Sequence, residues 1–225
     1  MTDRDSTSRE EGLALATELR HIAEALVVAD LEPEDVAAAH RLATALRERL
    51  TGPRRPRWYD TAGAHPESTP EARHAYLAQS PIRGHLNPVA PPLVLGPGTR
   101  GNGARCVVGE LQMGRRYEGP PHGVHGGWVA ALFDEALGAA QSLGDTPGMT
   151  AVLKVRYRQI TPVKQPLRFE AWIHEQRGRR TVARATCHAG DRLTADAEGI
   201  FIGVDFDEVE ERMSRAPGSS DDAAV

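Results

Sequence analysis

Residues 120–138, PPHGVHGGWVAALFDEALG, predict an apolar helix in the middle of the chain. Most of its side chains are apolar and recur at helical spacing, and a second face carries Gly127, Ala131, Asp134 and Gly138. A helix with so little polar surface is expected to be enclosed by other elements. A carboxylate in such surroundings is costly unless it is paired or used chemically, so Asp134 is the first candidate functional residue.

Strand-like segments lie on both sides of this helix, two before it and four after it. In the first segment after the helix, every second residue is apolar: Ala151, Leu153, Val155 and Tyr157. This alternation predicts an antiparallel sheet that is covered on one face, and residues 177–180, RGRR, predict a tight hairpin turn. One helix followed by consecutive strands indicates an α+β domain. We expect the sheet to curve around the central helix, which is the hotdog fold.

Residues 8–50 predict two amphipathic helices ahead of this domain. Ser8 and Glu11 fit a capping box at the start of the first helix, and Pro33 marks the start of the second. Each helix has an apolar stripe: Leu15, Leu19, Ile22 and Leu26 in the first, and Val36, Ala39, Ala43, Leu46 and Leu50 in the second. Two short helices cannot bury both stripes alone, so we expect them to dock on the main domain or on a partner chain.

The change in pattern along the chain predicts four regions. Residues 1–52 form the N-terminal helical extension, and residues 53–88, rich in proline and without periodicity, form an irregular linker or lid. The hotdog domain occupies residues 89–205. Residues 206–225 are acidic, then small and polar, and predict a flexible tail.

Composition excludes several classes of function. With 27 basic and 31 acidic residues and a net charge of −4, the chain has no nucleic-acid-binding signature. No apolar run reaches the ~20 residues that span a bilayer, and the polar N-terminus has no signal core. Cys106 and Cys187 both lie in strand-like runs and predict reduced core residues. These features predict a soluble, cytoplasmic protein.

The spacing of polar residues around the helix resembles that of PaaI-type hotdog acyl-CoA thioesterases, close to the thioesterase-superfamily-member-4 group. The shared pattern is a His-Gly-Gly start, an Asp nine residues after the His, a Gly four further on and a Thr opening the next strand, here His125, Gly126, Gly127, Asp134, Gly138 and Thr150. The resemblance covers about residues 90–204. Many relatives have an Asn shortly before His-Gly-Gly, whereas this chain has EGPPHGV.

The resemblance implies hydrolysis of acyl-CoA thioesters without a separate cofactor or metal, since coenzyme A enters as part of the substrate. Gly126 and Gly127 at the helix N-terminus would polarise the thioester carbonyl, a role for which free N–H groups and the helix dipole are suited. Asp134 would act as general base or nucleophile. Thr150 would hydrogen-bond to Asp134 or to the water, and His125 would orient the thioester.

Helix geometry adds a constraint on assembly. Gly127 and Asp134 are seven residues apart, roughly 10 Å along a helix that rises about 1.5 Å per residue. One thioester cannot easily contact both residues of the same chain. A two-fold dimer would bring the glycine end of one chain towards Asp134 of the other. We therefore expect a homodimer, with a tetramer left open.

Other readings of the same residues remain open. Glu135 is a competing carboxylate, about 100° around the helix from Asp134. His122 and His125 with Asp134 could indicate a metal, although no fourth ligand is evident. His125 could be only a cap, and Trp128 only packing. Basic side chains could meet the phosphates of coenzyme A or form a solvated sheet face: Arg156, Arg158, Arg179 and Arg180.

The main alternative function is a non-catalytic acyl-CoA-binding or regulatory protein on the same fold, because fold alone does not determine function. A hotdog dehydratase acting on acyl thioesters is a further alternative, but the chain lacks the spacing between His and acidic residue that such enzymes use. The intact set of His125, Asp134 and Thr150 favours the hydrolase, since a binder has no need of a poised carboxylate.

Overall fold

A computed structural model describes residues 3–53, 76–78, 80–144, 146 and 148–204. Two helices, α1 (Asp3–Val28) and α2 (Pro33–Arg49), come first. Strands β1 (Val94–Thr99) and β2 (Arg105–Gln112) and a 3₁₀ turn (Arg115–Tyr117) lead to the central helix, α3 (Gly126–Gln141). Four strands follow: β3 (Gly148–Tyr157), β4 (Pro166–Arg177), β5 (Arg180–Ala189) and β6 (Arg192–Gly203).

The strands form one antiparallel sheet in the order β1-β2-β4-β5-β6-β3, and the predicted α+β hotdog fold is confirmed. The RGRR segment is the β4–β5 hairpin turn, where Arg177 pairs with Arg180 and Gly178 has a φ of 56°. Strand β3 follows α3 in the chain but lies at the edge of the sheet, paired only with β6 among the described strands. One side of β3 therefore has no described strand beside it.

Helix α3 packs across one face of the sheet and supplies much of the core. Seven of its residues are buried: Val129, Leu132, Phe133, Ala136, Leu137, Ala140 and Gln141. The Phe133 and Phe169 rings meet edge to face with centroids 5.2 Å apart. The apolar character of residues 128–140 thus reflects enclosure by the sheet, as the sequence predicts.

The two N-terminal helices differ in how they are held. Helix α1 begins at Asp3, so Ser8 lies inside it and the predicted cap at Ser8 is wrong. Ala16 is buried, but Ile22 and Leu26 of the predicted apolar stripe are exposed. Helix α2 starts at Pro33 as predicted and has no buried residue. Apolar burial of α1 on the domain is therefore limited to Ala16 and the partly buried Leu15 and Leu19.

Polar contacts also attach α1 to the domain. The Arg20 guanidinium donates to four backbone carbonyls, those of Gly84, His85, Asn87 and Ala90, at 2.8–3.2 Å. One turn further on, the Glu24 carboxylate accepts the backbone N–H groups of Arg115 and Arg116 at the start of the 3₁₀ turn. Helix α1 thus anchors both the segment before β1 and the turn that leads to α3.

The described end of the predicted linker packs on the domain. Residues 80–93, here called the strap, contribute the buried Ser80, Ile82, Ala90 and Leu93, and Ile82 and Leu93 belong to the main apolar cluster. Residues 54–75 of the predicted linker and residues 206–225 of the predicted tail lie outside the described residues. The four predicted region boundaries stay predictions.

Candidate active site

His125 caps the N-terminus of α3. Its Nδ1 accepts the Gly127 N–H at 3.0 Å, and its own backbone N–H donates to the Tyr117 carbonyl at 2.8 Å. In a neutral imidazole whose Nδ1 accepts, the proton is on Nε2. The ring is exposed, so its Nε2–H is free to donate to a substrate oxygen. The capping reading and the substrate-orienting reading of His125 are therefore compatible.

The two glycines that start α3 have different hydrogen-bond partners. The Gly127 N–H is used by His125, whereas the Gly126 N–H meets no acceptor among the described groups. The Gly126 carbonyl accepts the Tyr157 hydroxyl at 2.9 Å. A Cβ at Gly126 would lie 3.3 Å from the Tyr157 ring, so glycine permits this close approach. Gly126 thus offers a donor at the positive end of the helix.

Asp134 lies half-buried on α3, facing the β3 edge. The Thr150 hydroxyl donates to Asp134 Oδ1 at 2.9 Å. Thr150 is exposed, next to a register shift between Thr150 and Val152 in the pairing with β6. In the single chain Asp134 is only partly enclosed, because the open side of β3 leaves the carboxylate partly accessible.

Glu135 faces away from this pair, towards the segment before the strap. Its two carboxylate oxygens each accept the Tyr76 hydroxyl at 3.0 Å, and the Ser80 hydroxyl lies 3.4 Å from Oε1. Burial raises the pKa of Glu135, and the hydrogen bond from Tyr76 and the nearby charge of Arg83 oppose the rise. Two adjacent carboxylates therefore have separate partners, and nothing in the sequence around Tyr76 signals this contact.

Within one chain, the predicted site residues form two groups. His125, Gly126 and Gly127 lie at the start of α3, while Asp134 and Thr150 meet beside its middle. The interval is seven residues, roughly 10 Å at about 1.5 Å per residue. No group of three or more metal-binding side chains occurs in the described part of the chain. His122, with a φ of 61°, instead donates its backbone N–H to Glu118.

The candidate phosphate-binding arginines have partners elsewhere. Arg156 and Arg158 both pair with Asp196 on the outer face of the sheet, at 3.6 and 2.5 Å. Arg179 donates to the Gly203 carbonyl. Three of the four candidates thus have described partners, and both readings of these arginines stay predictions.

The strands and the enclosed helix define a hotdog domain. Residues 122–196 match the family model described as the Thioesterase superfamily. This part of the chain is therefore similar to the Thioesterase superfamily, and the predicted resemblance to hotdog thioesterases is confirmed. The matched residues include His125, Gly126, Gly127, Asp134 and Thr150, and the roles of these five residues stay predictions.

Individual relatives extend the comparison. The human acyl-coenzyme A thioesterase THEM5 is 26% identical over 100 residues, which span 44% of this chain and 40% of that protein. The crystal structure of protein RHA08564, a thioesterase superfamily protein, is 26% identical with a TM-score of 0.67, covering 85% of this chain and 94% of that one. This alignment is longer than residues 89–225, so it also includes part of the N-terminal regions.

No described helix combines the length and apolar character that crossing a membrane requires.

Proposed function

We propose that the protein hydrolyses acyl-CoA thioesters to the free acid and coenzyme A, with two active sites at the interface of a homodimer. The observation that carries the proposal is the pair of half-sites on α3: at its start, a Gly126 N–H without an acceptor among the described residues, and at its middle, Asp134 with Thr150. The thioesterase superfamily domain and the acyl-coenzyme A thioesterase relative support the reaction class.

The start of α3 would stabilise the negative charge that develops on the thioester oxygen. The Gly126 N–H would donate to that oxygen, assisted by the partial positive charge of the helix end. His125 Nε2–H is a second donor within the same exposed surface. Because His125 and Tyr117 already fix this turn through hydrogen bonds, the donors would need little rearrangement during the reaction.

Asp134 would supply the other half of the chemistry. As general base it takes a proton from water, whose oxygen attacks the carbonyl carbon as the carbon–sulfur bond breaks and the thiolate of coenzyme A leaves. As nucleophile it forms an acyl anhydride that water then cleaves. In both routes the Thr150 hydroxyl orients the carboxylate through the 2.9 Å hydrogen bond.

The proposed homodimer follows from the open edge of β3. Met149 and Val152 are about half exposed there, and an exposed apolar edge strand favours pairing with another strand. Tyr157 contacts Gly126 near one end of β3, and Thr150 contacts Asp134 near the other. Antiparallel pairing of two β3 strands about a two-fold axis near their middle would set Thr150 of one chain against Tyr157 of the other, bringing the half-sites together.

The proposal also includes the remaining expectations about this enzyme. Water is the second substrate and coenzyme A is part of the first, so the reaction needs no cofactor. The dimer can pair again into a tetramer, and we place the protein in the cytoplasm without a nucleic-acid partner.

The test is free-thiol release from acyl-CoAs of short, medium, long and aromatic acyl groups. Asp134→Asn keeps the size of the side chain but removes its basicity, and we expect a loss of about 1,000-fold in kcat. Asp191→Asn, in the exposed β5–β6 turn, is the matched control and keeps full activity. Cys106 and Cys187 are free but buried, and burial raises the pKa of both thiols, so the protein adds little background to a thiol assay.

Each outcome separates the two leading functions. A folded dimer that releases thiol, and loses this activity with Asp134→Asn but not Asp191→Asn, supports the hydrolase. A wild-type protein that binds acyl-CoAs without hydrolysing any of the panel overturns the hydrolase in favour of the binding protein. Full activity of Asp134→Asn would refute the role of that carboxylate.

A further inference from the structure

Glu135 connects the catalytic helix to a distant part of the chain. It lies one residue after Asp134, about 100° further around α3. Its carboxylate accepts hydrogen bonds from the Tyr76 and Ser80 hydroxyls, which are 59 and 55 residues away in sequence. Helix α3 is thus fastened to Tyr76 and Ser80 directly beside the candidate catalytic carboxylate.

Ser80 passes this attachment on to the strap. While its hydroxyl lies against Glu135, its oxygen accepts the backbone N–H groups of Ile82 at 3.2 Å and Arg83 at 2.9 Å. Ser80 is only 3% exposed, so these contacts have little competition from water. The start of the strap is therefore tied to Glu135 through one buried hydroxyl.

The far part of the strap has an independent attachment. Arg20 donates to four of its carbonyls, and the Tyr117 hydroxyl donates to the Val89 carbonyl at 3.0 Å. Loss of the Glu135 contact would therefore loosen the first residues of the strap, while the buried Ile82 and the contacts of Arg20 and Tyr117 hold the rest. A local effect on the start of the strap can therefore be distinguished from general unfolding.

The position of the fastening relates it to the acyl group. An acyl chain on a thioester attacked at Asp134 would run along the surface of α3 past Ala131 and Gly138, two small residues that are partly exposed. A Cβ at Gly138 would meet no atom within 4 Å. Tyr76 and Ser80 border this surface at Glu135, about one helical turn before Gly138.

We propose that Glu135 is a positioning residue that fastens Tyr76 and Ser80 over α3, so that residues 76–78 and 80–82 form one wall of a groove for the acyl chain and restrict the acyl chains that the enzyme accepts. The inference rests on the proposed thioesterase function and on the Tyr76–Glu135–Ser80 contacts. Glu135 itself takes no part in the chemistry, because its carboxylate is engaged away from Asp134.

The test uses variants that remove or keep the hydrogen-bond acceptor. Tyr76→Phe removes only one hydroxyl, Glu135→Met removes the acceptor at similar length, and Glu135→Gln keeps an acceptor. Glu198→Met, on the outer sheet face, is the control. The first readout is the ratio of kcat/KM for a short to a long acyl-CoA. We expect about a tenfold fall in Tyr76→Phe and Glu135→Met, and less than about a threefold change in Glu135→Gln and the control.

A second readout does not depend on activity. Hydrogen exchange of the Ser80, Ile82 and Arg83 amides should become about tenfold faster in Tyr76→Phe and Glu135→Met. The amides of Asn87, Val89, Ala90 and Leu93 should keep wild-type exchange. Tyr76→Phe is the mildest change, and it decides the question if Glu135→Met does not fold.

The outcomes distinguish this inference from the proposed function. Faster exchange with a shifted ratio supports it. Unchanged exchange in Tyr76→Phe overturns the fastening, and faster exchange with an unchanged ratio overturns the role in selectivity. A wild-type protein without hydrolysis of any acyl-CoA overturns the proposed function and the selectivity role together, while the exchange data still decide the fastening.

Discussion

The two ends of the candidate site on α3 are built differently. At the start of the helix, most of the hydrogen bonds involve backbone groups. The Tyr117 carbonyl accepts the His125 backbone N–H, and His125 Nδ1 accepts the Gly127 backbone N–H. Glu24 of α1 fixes the preceding 3₁₀ turn from outside the domain. At the middle of the helix, Asp134 has a single described hydrogen bond, from the exposed Thr150 on an open strand edge.

This difference matches what each end would have to do. Donors that stabilise developing charge are most effective when they are held rigidly before the reaction begins. The start of α3 meets this condition within one chain. The carboxylate end lies where a second copy would pair, so its surroundings would be completed only on dimerisation. A complete enzyme would thus join a rigid end from one chain to a carboxylate end from the other.

After Asp134→Asn, the largest expected effect comes from disrupting the strand edge beside the carboxylate. Val152→Lys adds a positive charge at the β3 edge, on the outer face that it shares with Lys154 and Arg156, so that like charges would oppose pairing of two β3 strands. We expect a monomer in sedimentation velocity with activity reduced about 100-fold. Val94→Lys is a matched control, because Val94 is 60% exposed on β1 at the opposite edge of the sheet. This control remains dimeric and active. A monomeric Val152→Lys variant with full activity would exclude the shared site.

The next prediction concerns the attachment of α1 to the strap. Arg20→Met leaves four strap carbonyls without their donor, and we expect a loss of about 3 kcal/mol in the free energy of unfolding, measured by urea denaturation. Arg41→Met on α2, which has no buried residue, is the control and changes stability by less than about 0.5 kcal/mol. Equal stabilities for the two variants would mean that α1 contributes nothing to the domain.

The fold was accessible from the sequence because its signals are local. The apolar face of α3, the alternation of residues 150–157 and the hairpin at RGRR each depend on neighbours within a few residues. The set from His125 to Thr150 spans only 26 residues and has fixed spacing, so the candidate site could be predicted together with the fold.

The remaining features depend on contacts that periodicity does not encode. The stripe from Leu15 to Leu26 predicted apolar docking, whereas Arg20 and Glu24 dock α1 by binding backbone groups more than 60 residues away. A carbonyl leaves no trace in a sequence pattern, because every residue has one. The hydrogen bond from Tyr76 to Glu135 is equally non-local. The position of β3 at the sheet edge depends on the order of the strands in the sheet, which the alternation within one strand does not encode.

The smallest expected effects compare the two ends by removing one hydroxyl from each. Thr150→Val removes the described hydrogen bond to Asp134, so the carboxylate can rotate, and we expect kcat to fall about tenfold. Tyr157→Phe removes a donor to the Gly126 carbonyl, but His125 still fixes the same turn, so kcat should fall less than about threefold. Both variants are measured as dimers, verified by sedimentation. An equal loss of kcat in the two variants would mean that the start of α3 is held no more rigidly than the Asp134 carboxylate. Only the backbone contacts would then distinguish the two ends of the site.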